Sequence, residues 1–103
     1  MTSQSVIARP YAEAAFSVAK QDNSIEEWSS DLQKIKVVCA DQKITNLLLN
    51  PDLSYSDKTE IFMDLFKGEI SDKASSFVKV CGDNKRLKNL PEIINFFNEL
   101  ALE

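Results

Sequence analysis

Residues 6–20, VIARPYAEAAFSVAK, carry more apolar surface than a helix on the outside of a small domain can use. Ile7, Tyr11, Ala14 and Val18 fall at i, i+4, i+7 and i+11, a continuous stripe at about 100° per residue. Ala8, Ala12, Ala15, Phe16 and Ala19 form a second stripe beside it. Arg9, Glu13, Ser17 and Lys20 make up a mostly polar remainder that Val6 and Pro10 interrupt. One stripe is enough to seat such a helix on a core. Two stripes cover more than half of its circumference, so one face must be covered by more of the chain or by another molecule. Pro10 removes one backbone hydrogen bond and predicts either a kink or the helix's true first turn.

The remaining pattern is helical from end to end. Ser3 or Ser5 is placed to cap the first helix, after a polar, frayed start at Met1. Residues 22–24 end it, and Ser24 followed by Glu27 has the spacing of a capping box that starts the second. That helix runs to about Ala40 on a narrow stripe of Ile25, Trp28, Leu32, Ile35 and Cys39, with Glu26, Ser30, Gln33 and Lys34 opposite. A short third helix lies within 41–50 and stops at Asn50-Pro51, because the residue before proline disfavours helix. Ser54 or Ser56 caps a fourth helix through Lys67, with Ile61, Phe62, Leu65 and Phe66 inward and Gly68 as its C-terminal cap.

Ser71 caps a fifth helix to about Asn84, with Ala74, Phe77, Val78, Val80 and Cys81 on its apolar arc. Val80 sits at the edge of that arc beside Ser76 and need not be buried within the domain; Gly82-Asp83-Asn84 ends the helix. Asn89 caps a sixth helix, with Pro91 in its first turn and Ile93, Ile94, Phe97 and Leu100 inward. It runs to Leu102-Glu103 without a stop signal, as expected of the first domain of something longer. No segment alternates with period two long enough for a strand. The expectation is an all-α, six-helix bundle forming a single domain over 103 residues.

The chemistry that composition excludes is extensive. The chain has no histidine, the commonest general base and metal ligand, and its two glycines cannot build a phosphate loop. Cys39 and Cys81 lie far apart inside helical patterns, which favours buried free thiols in a reducing compartment over a disulfide, a zinc site or a redox pair. Glu26, Glu27, Asp57, Glu60 and Asp72 cluster at helix starts, where they suit the helix dipole. Lys85-Arg86-Leu87-Lys88 is the one basic cluster and follows a helix C-terminus, where it suits the dipole equally. A net charge of -4 argues against a nucleic-acid or anionic-membrane binder, including a helix-turn-helix protein. There is no signal peptide pattern and no bilayer-length apolar run. The chain is expected to bind something, not to catalyse, and to need no cofactor or metal.

Two stretches carry a resemblance. Ala8-Arg9-Pro10-Tyr11-Ala12-Glu13-Ala14-Ala15-Phe16 is similar to the opening ARPYAxAxF motif of the delta subunit of bacterial F-type ATP synthase, the relative of the mitochondrial oligomycin-sensitivity-conferring protein. Asn84-Lys85-Arg86-Leu87-Lys88-Asn89-Leu90-Pro91-Glu92-Ile93 resembles that family's N-x-R-L-x-x-L-P-x-I segment at the expected distance. Trp28 and Asn50-Pro51 fit as well, and the likeness covers the whole chain.

The resemblance implies a function. The family's N-terminal domain is a six-helix bundle at the top of the catalytic head. It holds the amphipathic N-terminal helix of an alpha subunit in a groove between its first and fifth helices. A C-terminal domain, absent from this chain, joins the b subunit, and together they form a peripheral stalk that restrains the head against rotor torque during proton-driven ATP synthesis. The implied location is the cytoplasmic face of the bacterial inner membrane, peripheral to it. Carried onto this sequence, the groove comprises Ile7, Tyr11, Ala14, Ala15, Val18, Ser76, Phe77 and Val80. Ala8, Ala12, Phe16 and Ala19 face the core, and Trp28 belongs to the core or the groove rim. The domain is expected to be a monomer when alone. The rival reading is a self-associating helical module that buries the same stripe in a dimer.

Overall fold

The computed structural model describes residues 2–102, with side chains from Val6 onward. Six α-helices follow one another: α1 (Thr2–Gln21), α2 (Ile25–Cys39), α3 (Gln42–Leu49), α4 (Tyr55–Asp64), α5 (Asp72–Asp83) and α6 (Leu90–Ala101). A 3-10 turn at Leu87–Asn89 leads into α6. No strand occurs among the described residues, and the six helices close on one core.

The core forms around the alanine face of α1. Ala8, Ala12, Ala15 and Ala19 are all buried, and α1 makes its most extensive contact with α6. Small side chains let the two backbones approach closely, so the bulk between them comes from α6, whose Leu90, Ile93, Ile94, Phe96 and Phe97 are buried. From α2, Trp28, Leu32, Ile35 and Cys39 complete this layer, as their spacing predicts. α4 and α5 pair with each other and contribute Phe62, Ala74, Val78 and Cys81. Leu90 and Phe96 were not among the inward positions expected of α6, and Leu100, which was, is half-buried. Arg9 lays its guanidinium 4.5 Å from the Phe96 ring centroid and covers that outer edge of the core.

Helix ends depart from the sequence expectations in informative ways. α1 begins at Thr2, so Ser3 and Ser5 stand inside it and do not cap it; Met1 lies outside the described residues. The helix runs through Pro10, which is neither its first turn nor its end. It closes in a Schellman motif, with Asn23 left-handed at φ 53°, Ser24 N–H bonded to Ala19 C=O and Asn23 N–H to Lys20 C=O.

Ser24 therefore serves two helices at once, and the expected capping box with Glu27 does not form. Its backbone, at ψ 28°, is set by closing α1, and its hydroxyl points back to Ala19 C=O at 3.5 Å. α5 ends in the same way. Lys85 takes the left-handed position at φ 63°, Arg86 N–H reaches Cys81 C=O and Lys85 N–H reaches Gly82 C=O.

Asp41, Ser54 and Ser71 do cap α3, α4 and α5, accepting from the amides of Lys43, Asp57 and Ala74 respectively. Ser71 also donates its own N–H to the buried carboxylate of Asp31 on α2, at 3.0 Å, which fixes where α5 starts. Asn89 precedes α6 but makes no side-chain cap bond, because the 3-10 turn already delivers the chain in helical geometry.

α4 ends at Asp64, three residues sooner than its apolar pattern suggests. A run of i→i−3 bonds follows, and Gly68 turns the chain at φ 78°. Phe62 and Phe66 point inward as expected, but Ile61 and Leu65 are 41% and 43% exposed. Lys58 and Thr59, on the Phe62 face, take the inner positions that Ile61 was expected to share.

Gly82 owes its identity to this pairing of α4 with α5. A Cβ at Gly82 would stand 2.2 Å from Thr59 Oγ1, and Thr59 is held in place by its own bond to Tyr55 C=O at 2.8 Å. A stiff β-branched neighbour cannot swing away. Gly82→Ala should gain about 1 kcal/mol of helix propensity yet lose more to overpacking, for a net destabilisation of about 1–2 kcal/mol. Urea unfolding followed by circular dichroism tests this; an unchanged or higher midpoint would show that the helices part freely.

Candidate functional site

α1 is held by α6 and α5 by α4, so these two helices lie side by side with almost no direct contact. Between them runs an open apolar groove of about 660 Å³. Tyr11, Ala14, Ala15 and Val18 supply one wall at i, i+3, i+4 and i+7; Ser76, Phe77 and Val80 supply the other at i, i+1 and i+4. Ala14 is exposed and Ala15 buried, and their small size hollows the wall between the larger Tyr11 and Val18. Val80 is 50% exposed and Val18 40% exposed, as edge positions on apolar arcs can be.

Trp28 forms the floor. Its ring meets Phe77 edge-on with centroids 5.8 Å apart and stacks on Phe97 at 6.3 Å, while Phe97 meets Phe16 edge-on at 5.6 Å. This aromatic chain ties the floor to α6 and α1, so the base of the groove is part of the hydrophobic core. Lys73, whose ammonium pairs with Asp22 at the end of α1, and Asp72 form a polar rim at one end.

Seven of the eight positions expected of the groove therefore line it, and Ile7 does not. Ile7 continues the α1 stripe and is half-buried, but lies outside the lining. Pro10, Asp72 and Lys73 line the groove without having been singled out. Helical spacing contained that signal, since Asp72 and Lys73 precede Ser76 and Phe77 by one turn. Trp28, assigned to core or rim, is a core residue, buried and at the base of the groove.

Known proteins resemble this chain over nearly all of its length. The family model for the ATP synthase delta (OSCP) subunit matches residues 7–103. This chain belongs to that family. Among curated relatives, all bearing the name ATP synthase subunit delta, the one from Marinobacter nauticus is 37% identical over 97 residues, spanning 94% of this chain and 54% of the relative. That from Hydrogenovibrio crunogenus is 35% identical over 94 residues, 91% of this chain and 53% of the relative. The Hahella chejuensis relative is 35% identical over 103 residues, the whole of this chain and 58% of the relative. The chain thus spans a little over half the length of the delta subunits it matches. In this family member the α1–α5 groove is lined mainly by apolar side chains.

No group of residues with metal-binding spacing occurs among the described residues, and none of the described helices is long and apolar enough to cross a membrane. Both cysteines are free and buried, and burial pushes the Cys39 thiol up to about 11 and Cys81 to about 12. Neither is a thiolate at neutral pH, so neither is poised as a nucleophile. Because the folded-state values are raised, the linked stability is fully present below the unfolded thiol value near 9 and drains away as pH rises toward 11–12. The urea midpoint should fall between about pH 8 and pH 11, and Cys81→Ala should show a shallower fall than the parent. Equal slopes would assign the alkaline loss to other groups.

Proposed function

We propose that this chain is the part of an F-type ATP synthase delta subunit that grips the catalytic head, by holding an amphipathic N-terminal helix of an alpha subunit in the α1–α5 groove. The observation that supports this reading is the coincidence of two independent assignments: the positions implied by the family resemblance and the residues lining an apolar groove with a helix-compatible shape. An amphipathic helix presents anchors at i, i+3, i+4 and i+7, which matches an extended trough walled by two helices. Tyr11 offers aromatic area with a polar tip, Ala14 and Ala15 admit a close backbone approach, and Trp28 and Phe77 supply a rigid floor.

Apolar burial contributes about 25 cal/mol per Å², from which association costs of about 4–15 kcal/mol are subtracted. A preordered floor reduces the ordering part of that cost. The chain performs no chemistry in this role. It acts as a non-catalytic stator part: on one side it holds alpha, and a C-terminal domain of the delta subunit provides attachment to the b subunit. The assembled peripheral stalk then holds the head at the cytoplasmic face of a bacterial inner membrane while protons drive rotation. Its membrane association is through the complex.

Ala14→Asp tests the assignment. Ala14 is exposed, so the variant should melt like the parent by circular dichroism, yet bind a synthetic alpha-subunit N-terminal peptide about tenfold or more weakly, because a carboxylate would be buried against the apolar peptide face. Trp28 fluorescence reports binding in both proteins. A lost melt would make Ala14 a core residue, and undiminished binding would place the peptide elsewhere. Sedimentation without peptide should show a monomer; a dimer broken by Ala14→Asp would favour the self-associating module.

A further inference from the structure

We propose that the notch between the end of α3, the start of α4 and the α5–α6 connection is a second docking surface, for an acidic polypeptide segment carrying an apolar residue beside its carboxylates. The notch is about 240 Å³ and shares no lining residue with the α1–α5 groove. Its central feature is Lys58. This side chain is only 7% exposed, yet its ammonium has no carboxylate and no hydrogen-bond partner among the described residues. What it does have is the Tyr55 ring, 5.0 Å away. Lys85 lies over the same ring at 5.2 Å, and Lys88 completes the lining. Two cations drawn to one aromatic ring repel each other, and Lys58 reaches the notch with its stem buried and its ammonium unneutralised. No acidic side chain lines the notch to relieve either.

The rest of the notch selects the kind of anion. Leu48 and Leu49 line the same notch, and Leu49 is 60% exposed. A free anion would use the lysines and leave this leucine wall bare. A peptide with a glutamate or aspartate next to an apolar side chain satisfies both halves. The notch also continues into a neighbouring hollow of about 230 Å³ that shares Leu48, Leu49 and Lys88, giving a track longer than one side chain. Charge favours the same occupant, for the chain carries a net -4 and these lysines gather against that trend. Lys85 contributes from a left-handed backbone position, where asparagine or glycine is the usual residue.

The test is an amide NMR titration of the chain with an acetylated, amidated peptide of alternating glutamate and leucine. Shifts are expected at Leu49, Tyr55, Lys85 and Lys88, and should weaken as salt is raised. Lys85→Asn suits the left-handed backbone, so the fold is kept, and should weaken the peptide about fivefold. Binding of the alpha-subunit peptide in the α1–α5 groove should be unaffected by that change, which separates this surface from the proposed function. The same peptide with glutamine in place of glutamate should not bind. Equal binding of the glutamine peptide, identical shifts from inorganic phosphate alone, or shifts confined to the α1–α5 groove would each overturn the proposal.

Discussion

The close approach of α1 to α6 is the constraint on which everything else rests. Four alanines on one face of α1 make it possible, and the large side chains of α6 fill the space that remains. Such an interface is intolerant in one direction. Any larger residue at Ala8, Ala12 or Ala19 must push α1 away from its neighbours, chiefly α6, which carries Phe97, the ring that meets both Trp28 and Phe16. The groove is downstream of that packing. With one stripe of α1 spent on α6, the neighbouring stripe of Tyr11, Ala14 and Val18 is left facing α5, which is itself committed to α4.

The α4–α5 pairing rests on a comparable device, the missing side chain of Gly82 against Thr59. The two contacts use small residues to opposite ends. On α1 the alanines bring in a helix that covers them. On α5 the glycine admits the neighbouring α4 and leaves the opposite arc, Ser76, Phe77 and Val80, turned toward the groove. The Asp31 carboxylate adds a polar fastening, since it receives the Ser71 amide and so sets the height at which α5 begins relative to α2.

Much of this was legible in the sequence because helical periodicity is a long-range signal. The two stripes of α1, the narrow stripe of α2 and the edge position of Val80 follow from spacing alone, and all three describe the folded protein. What escaped was decided by neighbours in space. Ser24 has the right partner at Glu27 for a capping box, but closing α1 had already fixed its backbone. Ile61 and Leu65 are as apolar as Phe62 and Phe66, yet the inner face of α4 goes to residues that meet α5 and the notch. Asp31 and Lys58 are buried, and nothing local in the sequence marks them as such. Within the groove, Ile7 was included because a stripe has no end in sequence, whereas a groove ends where the facing helix does.

The near-absence of contact between α1 and α5 has a mechanical side. Each wall is stiffly backed, one by α6 and the other by α4, but between the walls there is little besides the Trp28 floor and the exposed Lys73–Asp22 pair. A force that spreads the walls is therefore opposed by few contacts running directly from one wall to the other. A rod laid along the trough and touching both sides would brace one separately anchored strut against the other and turn the pair into a closed frame.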